Sequence, residues 1–278
     1  MTDAHSEHLP DFEKPPVVET VLSVQFEPLM QMRAVHLGLL WQEFRDKLPR
    51  TEERPPLEPV IERFPEPTRL RLGLQLQALD TPPIPRFWFL NEEGTELVQV
   101  QPDRFIRNWR KVGVGDLYPR FPMVKSAFEA DFNRFLGFVA ERKLGVVRLN
   151  QCEVTYVNHI IAGEGWTTYQ DVDRIFTIWH QPADFPPGNA EDLTFHARFP
   201  IPGSNGKPVG RLHAELQPAV LTSDGRQMYV LNLTARGQIG ESIDFFDLGR
   251  EWIVKSFAAL TTPDMHRIWR RRDNASNR

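Results

Sequence analysis

His196 and Arg198 alternate along one run of the chain, and His213 and Glu215 along the next. If those runs are paired strands, their polar sides bring His196, His213 and Glu215 together. Two imidazoles and a carboxylate are a ligand set for zinc. The other reading of the same residues is a hydrated sheet face crossed by ion pairs. None of the eight histidines has H-E-x-x-H spacing. A second candidate is basic and aromatic. Between positions 101 and 111, Arg104, Arg107, Arg110 and Lys111 stand against Asp103 alone, with Phe105 and Trp109 interleaved. On an extended chain Phe105, Arg107, Trp109 and Lys111 share a face. Rings and cations on an open sheet can stack bases and neutralise phosphate. Equally, Trp109 can be core, with the arginines paired to acidic residues.

Other chemistries find no support. The single cysteine, Cys152, excludes a disulfide framework and any multi-cysteine metal site. It follows the start of an apolar run, which suits a buried inert thiol. No G-x-S-x-G is present, so no nucleophile elbow is visible. Gly203-Ser204-Asn205-Gly206-Lys207 lacks phosphate-loop spacing, and Pro208 stands where a magnesium-binding hydroxyl would be needed. No G-x-G-x-x-G follows a strand. The acidic pairs Glu52-Glu53 and Glu92-Glu93 fall in expected loops. There a carboxyl stays solvated and ordinary, unlike a general acid. Formal charge, 33 basic against 37 acidic residues, is −4, whereas nucleic-acid domains are usually basic. No cofactor is expected, and the balance leans away from an enzyme.

The elements that must carry these residues follow from periodicity. Val17–Phe26 alternates as a half-buried strand, with Val18, Thr20, Leu22, Val24 and Phe26 inward. Residues 32–48 have helical spacing at Met32, Val35, Leu39, Leu40, Phe44 and Leu48. A proline-rich connection spans 50–68, and Leu70–Ala78 alternates as a strand. Strands follow at 86–90, 96–101 and 104–111. A helix covers about 123–143, with Gly145 placed as its cap. The second half has a strand at 148–161 and a short helix at 168–179. Strands then fall at 193–199, 209–217 and 227–236, before a helix at about 243–260. Thr262-Pro263 reads as the N-cap and first residue of a last short helix.

Strand, helix, antiparallel strands, long helix: the order occurs twice. The expected class is α+β, a duplicated unit with sheet packed on helices in two layers. Residues 15–145 form the first unit and 146–272 the second, with tails at 1–14 and 273–278. No run of 18 to 20 apolar residues is present. The first ten residues lack an apolar leader core, so the chain is expected in the cytoplasm.

Several segments together resemble a known family. They are Pro15-Pro16-Val17-Val18-Glu19-Thr20-Val21, Leu97 to Phe105 running into Asn108-Trp109-Arg110-Lys111, Tyr118-Pro119-Arg120-Phe121, Glu153 to Ile160, Leu231 to Arg236, and Phe257 to Trp269. In that order, over nearly the whole chain, they resemble a bacterial family described as "sporadically distributed protein". The resemblance implies a single-module cytoplasmic protein of the accessory genome. It transfers no catalytic or binding residue.

The leading expectation is a non-catalytic interaction protein that binds a protein partner or a second copy of itself. Trp252, Ile268 and Trp269, set among arginines near the C-terminus, are residue types found at interface anchors. The alternatives are nucleic-acid binding through Arg104–Lys111, and a small-ligand or metal-dependent enzyme with a pocket between sheet and helices. A membrane is not expected as a partner.

Overall fold

A computed structural model describes residues 9–64, 84–180, 190–238 and 245–272. In chain order the elements are β1 (Asp11–Phe12), β2 (Val17–Phe26), α1 (Ala34–Phe44), β3 (Arg50–Arg54), β4 (Arg86–Leu90), β5 (Glu96–Gln101), β6 (Arg104–Arg110) and α2 (Phe121–Glu141). After these come β7 (Leu149–Ile161), α3 (Val172–Ile175), β8 (Phe195–Pro202), β9 (Pro208–Val220), β10 (Gln227–Gly237), α4 (Phe245–Leu260), α5 (Pro263–Ile268) and β11 (Arg271–Arg272). The chain is α+β. Among the described residues nine strands form one antiparallel sheet in the order β3-β4-β5-β6-β2-β7-β10-β9-β8. The small ribbon β1–β11 ties the two ends of the described chain together. No helix among the described residues is long and apolar enough to cross a membrane.

Alternation decides which side of the sheet is dry. Leu22 and Val24 of β2, Phe105 of β6, Val154 of β7 and Leu233 of β10 are fully buried. Helix α2 contacts β6 and β2, and α4 contacts β10, β7 and β9. Every fourth or third residue of α2 is apolar, so Val124, Phe128, Phe132, Phe135 and Val139 form one stripe. Phe105 meets Phe128, Phe132 and Phe135 with ring centroids 5.3–5.8 Å apart. Phe128 stands edge-on to Phe246 of α4 at 5.0 Å, which joins the two helices over the sheet. Aromatic pairs at these separations add about 1 kcal/mol beyond their burial.

Where α4 begins, one edge of the Phe245 ring sits against two paired glycines, Gly210 of β9 and Gly237 of β10. A Cβ on Gly237 would sit 2.2 Å from the Phe245 ring. The absence of side chains there lets the helix start descend onto the sheet.

Several expectations are corrected. The first helix is shorter than 32–48, and Leu37 takes the inward position while Val35 is exposed. The long helix ends on Lys143 in the left-handed conformation (φ 54°), ahead of Gly145. Leu144 N–H closes that turn on Val139 O. The expected helix at 168–179 shrinks to a capped turn and one turn of α3. Trp269 is buried against Phe12 and Phe257, so it closes the core and is no surface anchor. The strand expected at Leu70–Ala78 lies outside the described residues.

The proline-rich connection is a strand followed by a strap. Arg50–Arg54 pairs with β4, although its alternating charges read as loop. Residues 55–64 then run across the polar side of the sheet. Gln101, Arg104, Gln25 and Gln151 are successive cross-strand partners on β5, β6, β2 and β7. Each holds the strap by its main chain. Gln101 Oε1 accepts from Leu57 N–H and its Nε2 donates to Leu57 O. Arg104 donates to Glu58 O, Gln25 accepts from Val60 N–H, and Gln151 accepts from Glu62 N–H. Just past β10, Gln238 donates to Glu62 O. A proline-rich segment has few donors of its own and cannot join a ladder. Side-chain amides from the sheet satisfy it instead.

Candidate functional site: a basic and aromatic corner of the sheet

The polar face beside the strap's start holds a concentration of guanidinium groups around one indole. Strand register sets it up. Trp88 of β4 lies between Glu52 of β3 and Gln99 of β5. Arg54, Arg86 and Arg110 place their guanidinium carbons 4.7, 5.5 and 5.6 Å from the Trp88 ring centre. Such cation–aromatic contacts contribute about 0.5–2 kcal/mol each, more as water is excluded. Arg104 of β6 is near enough that its charge and that of Arg54 act on Arg86. Burial first, and those two like charges behind it, hold the Arg86 guanidinium below its usual pKa. Arg104 is lowered too, chiefly by burial.

Acidic partners are few. Arg54 pairs with Glu52, which Arg50 also approaches at 3.9 Å. Among the described residues Arg86, Arg104 and Arg110 have no carboxylate within ion-pair distance. Arg110 donates to Gly94 O, and Arg104 donates to Gln25 and to Glu58 O. The unsatisfied polar atoms concentrate here as well. Arg86 Nε, Trp88 Nε1, Arg104 Nε and Gln99 Oε1 are all buried without a hydrogen-bond partner. Three of the four are donors. A buried donor left unmade costs about 1–3 kcal/mol, so the corner holds these groups at the expense of stability. Beside it a chain of amides runs inward: Gln99 donates to Asn108, and Asn108 to Glu19. Burial raises the Glu19 carboxyl, against the Asn108 bond and the Arg110 charge.

The basic stretch named from sequence divides between the two sides of the sheet. Arg104 and Arg110 belong to this corner. Arg107 and Trp109 do not: with Phe105 they face α2, and both are buried. Arg107 donates to Asp131 of α2 at 2.7 Å and to Glu96 at 2.8 Å. Trp109 packs on Tyr118. Lys111 is exposed just past the strand. The shared face of Phe105, Arg107 and Trp109 is therefore interior and offers nothing to a base. The aromatic residue on the accessible side is Trp88, in the run Arg86-Phe87-Trp88-Phe89-Leu90. That run puts an aromatic residue on each face, the one signal in the sequence that could have located it.

The histidine candidates do share the polar side at the other end of the sheet. His196 is the register partner of Glu215, and Arg198 that of His213. His196 Nε2 lies 3.5 Å from Glu215, and the two imidazoles stack at 6.1 Å. His213, however, turns to Glu62 of the strap. Among the described residues no three His, Cys, Asp or Glu side chains are grouped to hold a metal ion. His196, His213 and Glu215 make cross-strand and strap contacts instead. The thiol of Cys152 is buried and pushed up by desolvation, which leaves it no nucleophile.

Comparison with known proteins finds no matching family model, no matching curated protein and no matching solved structure.

Proposed function

We propose that the chain is a non-catalytic interaction protein that takes an acidic segment of a protein partner at the Trp88 corner. The observation that carries this reading is the imbalance around the indole. Arg54, Arg86 and Arg110 converge there, Arg104 is near enough to act on Arg86, and Glu52 is the one carboxylate at ion-pair distance from the three on the ring among the described residues. Arginine and tryptophan are enriched at binding hot spots because they combine area with directed donors. Carboxylates presented on an extended segment would meet fork-shaped donors and relieve the mutual repulsion of Arg86 and its neighbours.

A nucleic acid would draw on the same cations, and Trp88 favours that second reading. Two observations weigh against it: Arg54 already lies on the ring that a base would use, and the net charge is −4. We further propose that the chain is built of two related units in two layers. The support is the repeated element order and the meeting of β2 and β7, each the first long strand of its half, in the middle of the sheet. On this reading the corner is a specialisation of the first unit. Cytoplasmic residence and kinship with the bacterial family named above stand as part of the same proposal.

The test is binding of the full chain to poly-L-glutamate at low salt, with poly-L-lysine and a single-stranded oligonucleotide as comparisons. Retention on poly-L-glutamate is expected, falling as salt rises and weakened about tenfold or more by the double substitution Arg86→Gln, Arg110→Gln. Absence of retention, or retention indifferent to the substitutions, overturns the reading. Preference for the oligonucleotide replaces it with the second.

A further inference from the structure

Between the sheet and its helices, on the side opposite the Trp88 corner, a small cleft opens to solvent. Its floor is Tyr156 and Asn158 of β7 with Leu233 of β10. Its walls are Phe121 at the start of α2 and Arg250, Ile253 and Phe257 of α4. Residues 10–17 pass over it, with Asp11 and the carbonyl of Phe12 tied to Arg120 at 3.0 and 2.9 Å.

The polar groups inside are unevenly satisfied. Tyr118 and Tyr156 bond hydroxyl to hydroxyl at 2.8 Å. Burial keeps both phenols neutral, Tyr156 most strongly, while the charge of Arg250 and its hydrogen bond with the Tyr156 hydroxyl work against that without prevailing. Arg120 is engaged by the chain that crosses the cleft. Arg250 meets a neutral group, the Tyr156 hydroxyl, and no counter-charge among the described residues. It is half-buried and its guanidinium carbon lies 5.1 Å from the Phe121 ring centre. Among the described residues it has no carboxylate within ion-pair distance. A guanidinium held in a partly dry cleft without a counter-charge favours an anion, and a planar carboxylate matches its fork. Apart from Asn158 and Asp11, whose charge Arg120 meets, the rest of the lining is mainly aromatic and aliphatic, with Phe12, Phe121, Ile253 and Phe257 prominent. Pockets of this build, mostly apolar with a few converging polar groups, are the usual form of small-ligand sites.

We propose that this cleft binds a small organic carboxylate with an apolar body. Its carboxylate rests on Arg250, the Tyr118–Tyr156 hydroxyls lie beside it, and its body lies against Phe121, Ile253 and Phe257. The site does not depend on the function proposed for the Trp88 corner, and either can fail alone.

Benzoate and its neutral isostere benzamide are the probes, measured on the full chain by saturation-transfer NMR and equilibrium dialysis. Benzoate is expected to bind about tenfold or more tightly than benzamide, and Arg250→Met to abolish that preference. Val254→Trp, which fills the cleft and leaves the charge in place, is expected to exclude benzoate. Circular dichroism reports whether each variant folds. If Arg250→Met does not, Val254→Trp carries the decision. Equal binding of the two probes, no binding of benzoate, or benzoate binding unchanged in Val254→Trp overturns the proposal.

Discussion

His213 and Glu62 are 151 residues apart in sequence, yet imidazole Nε2 and carboxylate oxygen are 2.7 Å apart. Arg211 and Arg236 reach the same carboxylate, so the last described turn of the strap is clamped to β9 and β10. The Glu62 side chain is only 5% exposed. Burial on its own would raise its pKa. The His213 hydrogen bond and the charges of His213, Arg211 and Arg236 outweigh burial and hold the carboxyl below its ordinary 4.5.

A depressed carboxyl stabilises the fold while it is ionised. The contribution is complete above the unfolded-state value and is lost as pH falls through the folded one. Glu62→Gln is expected to cost about 3 kcal/mol at neutral pH, because it removes the buried charge that Arg211, His213 and Arg236 share. Urea unfolding of both proteins over a pH series checks this. The gap should narrow as the pH drops below the ordinary carboxylate range. A gap independent of pH would show that the ionised clamp is not its source.

Arg107 is interior, and its partner Asp131 is nearly so, with side chains 8% and 15% exposed. Arg107→Met should destabilise the protein by about 3 kcal/mol, mostly by leaving Asp131 without a cation. Adding Asp131→Asn should recover part of the loss. The double-mutant cycle measured by urea unfolding reads the coupling directly.

Cys152 sits in the middle of the sheet under no solvent, its thiol well above the usual range through burial. Iodoacetamide at neutral pH should label it only at the rate of global opening. Labelling followed by mass spectrometry, with and without urea, tests this. Equal rates in the two conditions would mean that the sheet centre opens freely.

Gly237→Ala thrusts a methyl group into the ring of Phe245 and should cost about 2 kcal/mol, the usual scale of overpacking. Phe245→Leu made alone should also destabilise, by loss of buried ring. Combined, the two changes should cost less than their sum. Thermal melts of the three variants give the answer.

Much of this architecture was legible because period-two alternation is a local signal. β2 runs from Val17 to Phe26 as read, and Thr262 caps α5 by accepting from Met265 N–H. The parity of β6 was legible too, since Phe105, Arg107 and Trp109 do share a side. Which side is dry was not. Charge on Arg107 argued for water, and the acid that permits its burial lies on α2, beyond the reach of any local pattern. The strap escaped for the same reason. Prolines announce a connection, but its course is decided by Gln25, Gln101 and Gln151, scattered through the chain and alike only in space. Trp88 was within reach. Its neighbours Phe87 and Phe89 masked it as part of a continuously apolar strand.

β2 has its edges taken by β6 on one side and β7 on the other. The first neighbour is made early and the second only after α2 is complete. During synthesis, therefore, an almost finished half-molecule must wait with one side of a ten-residue strand uncovered. A ribosome stalled between α2 and β7 would hold out a ready template to any other nascent chain.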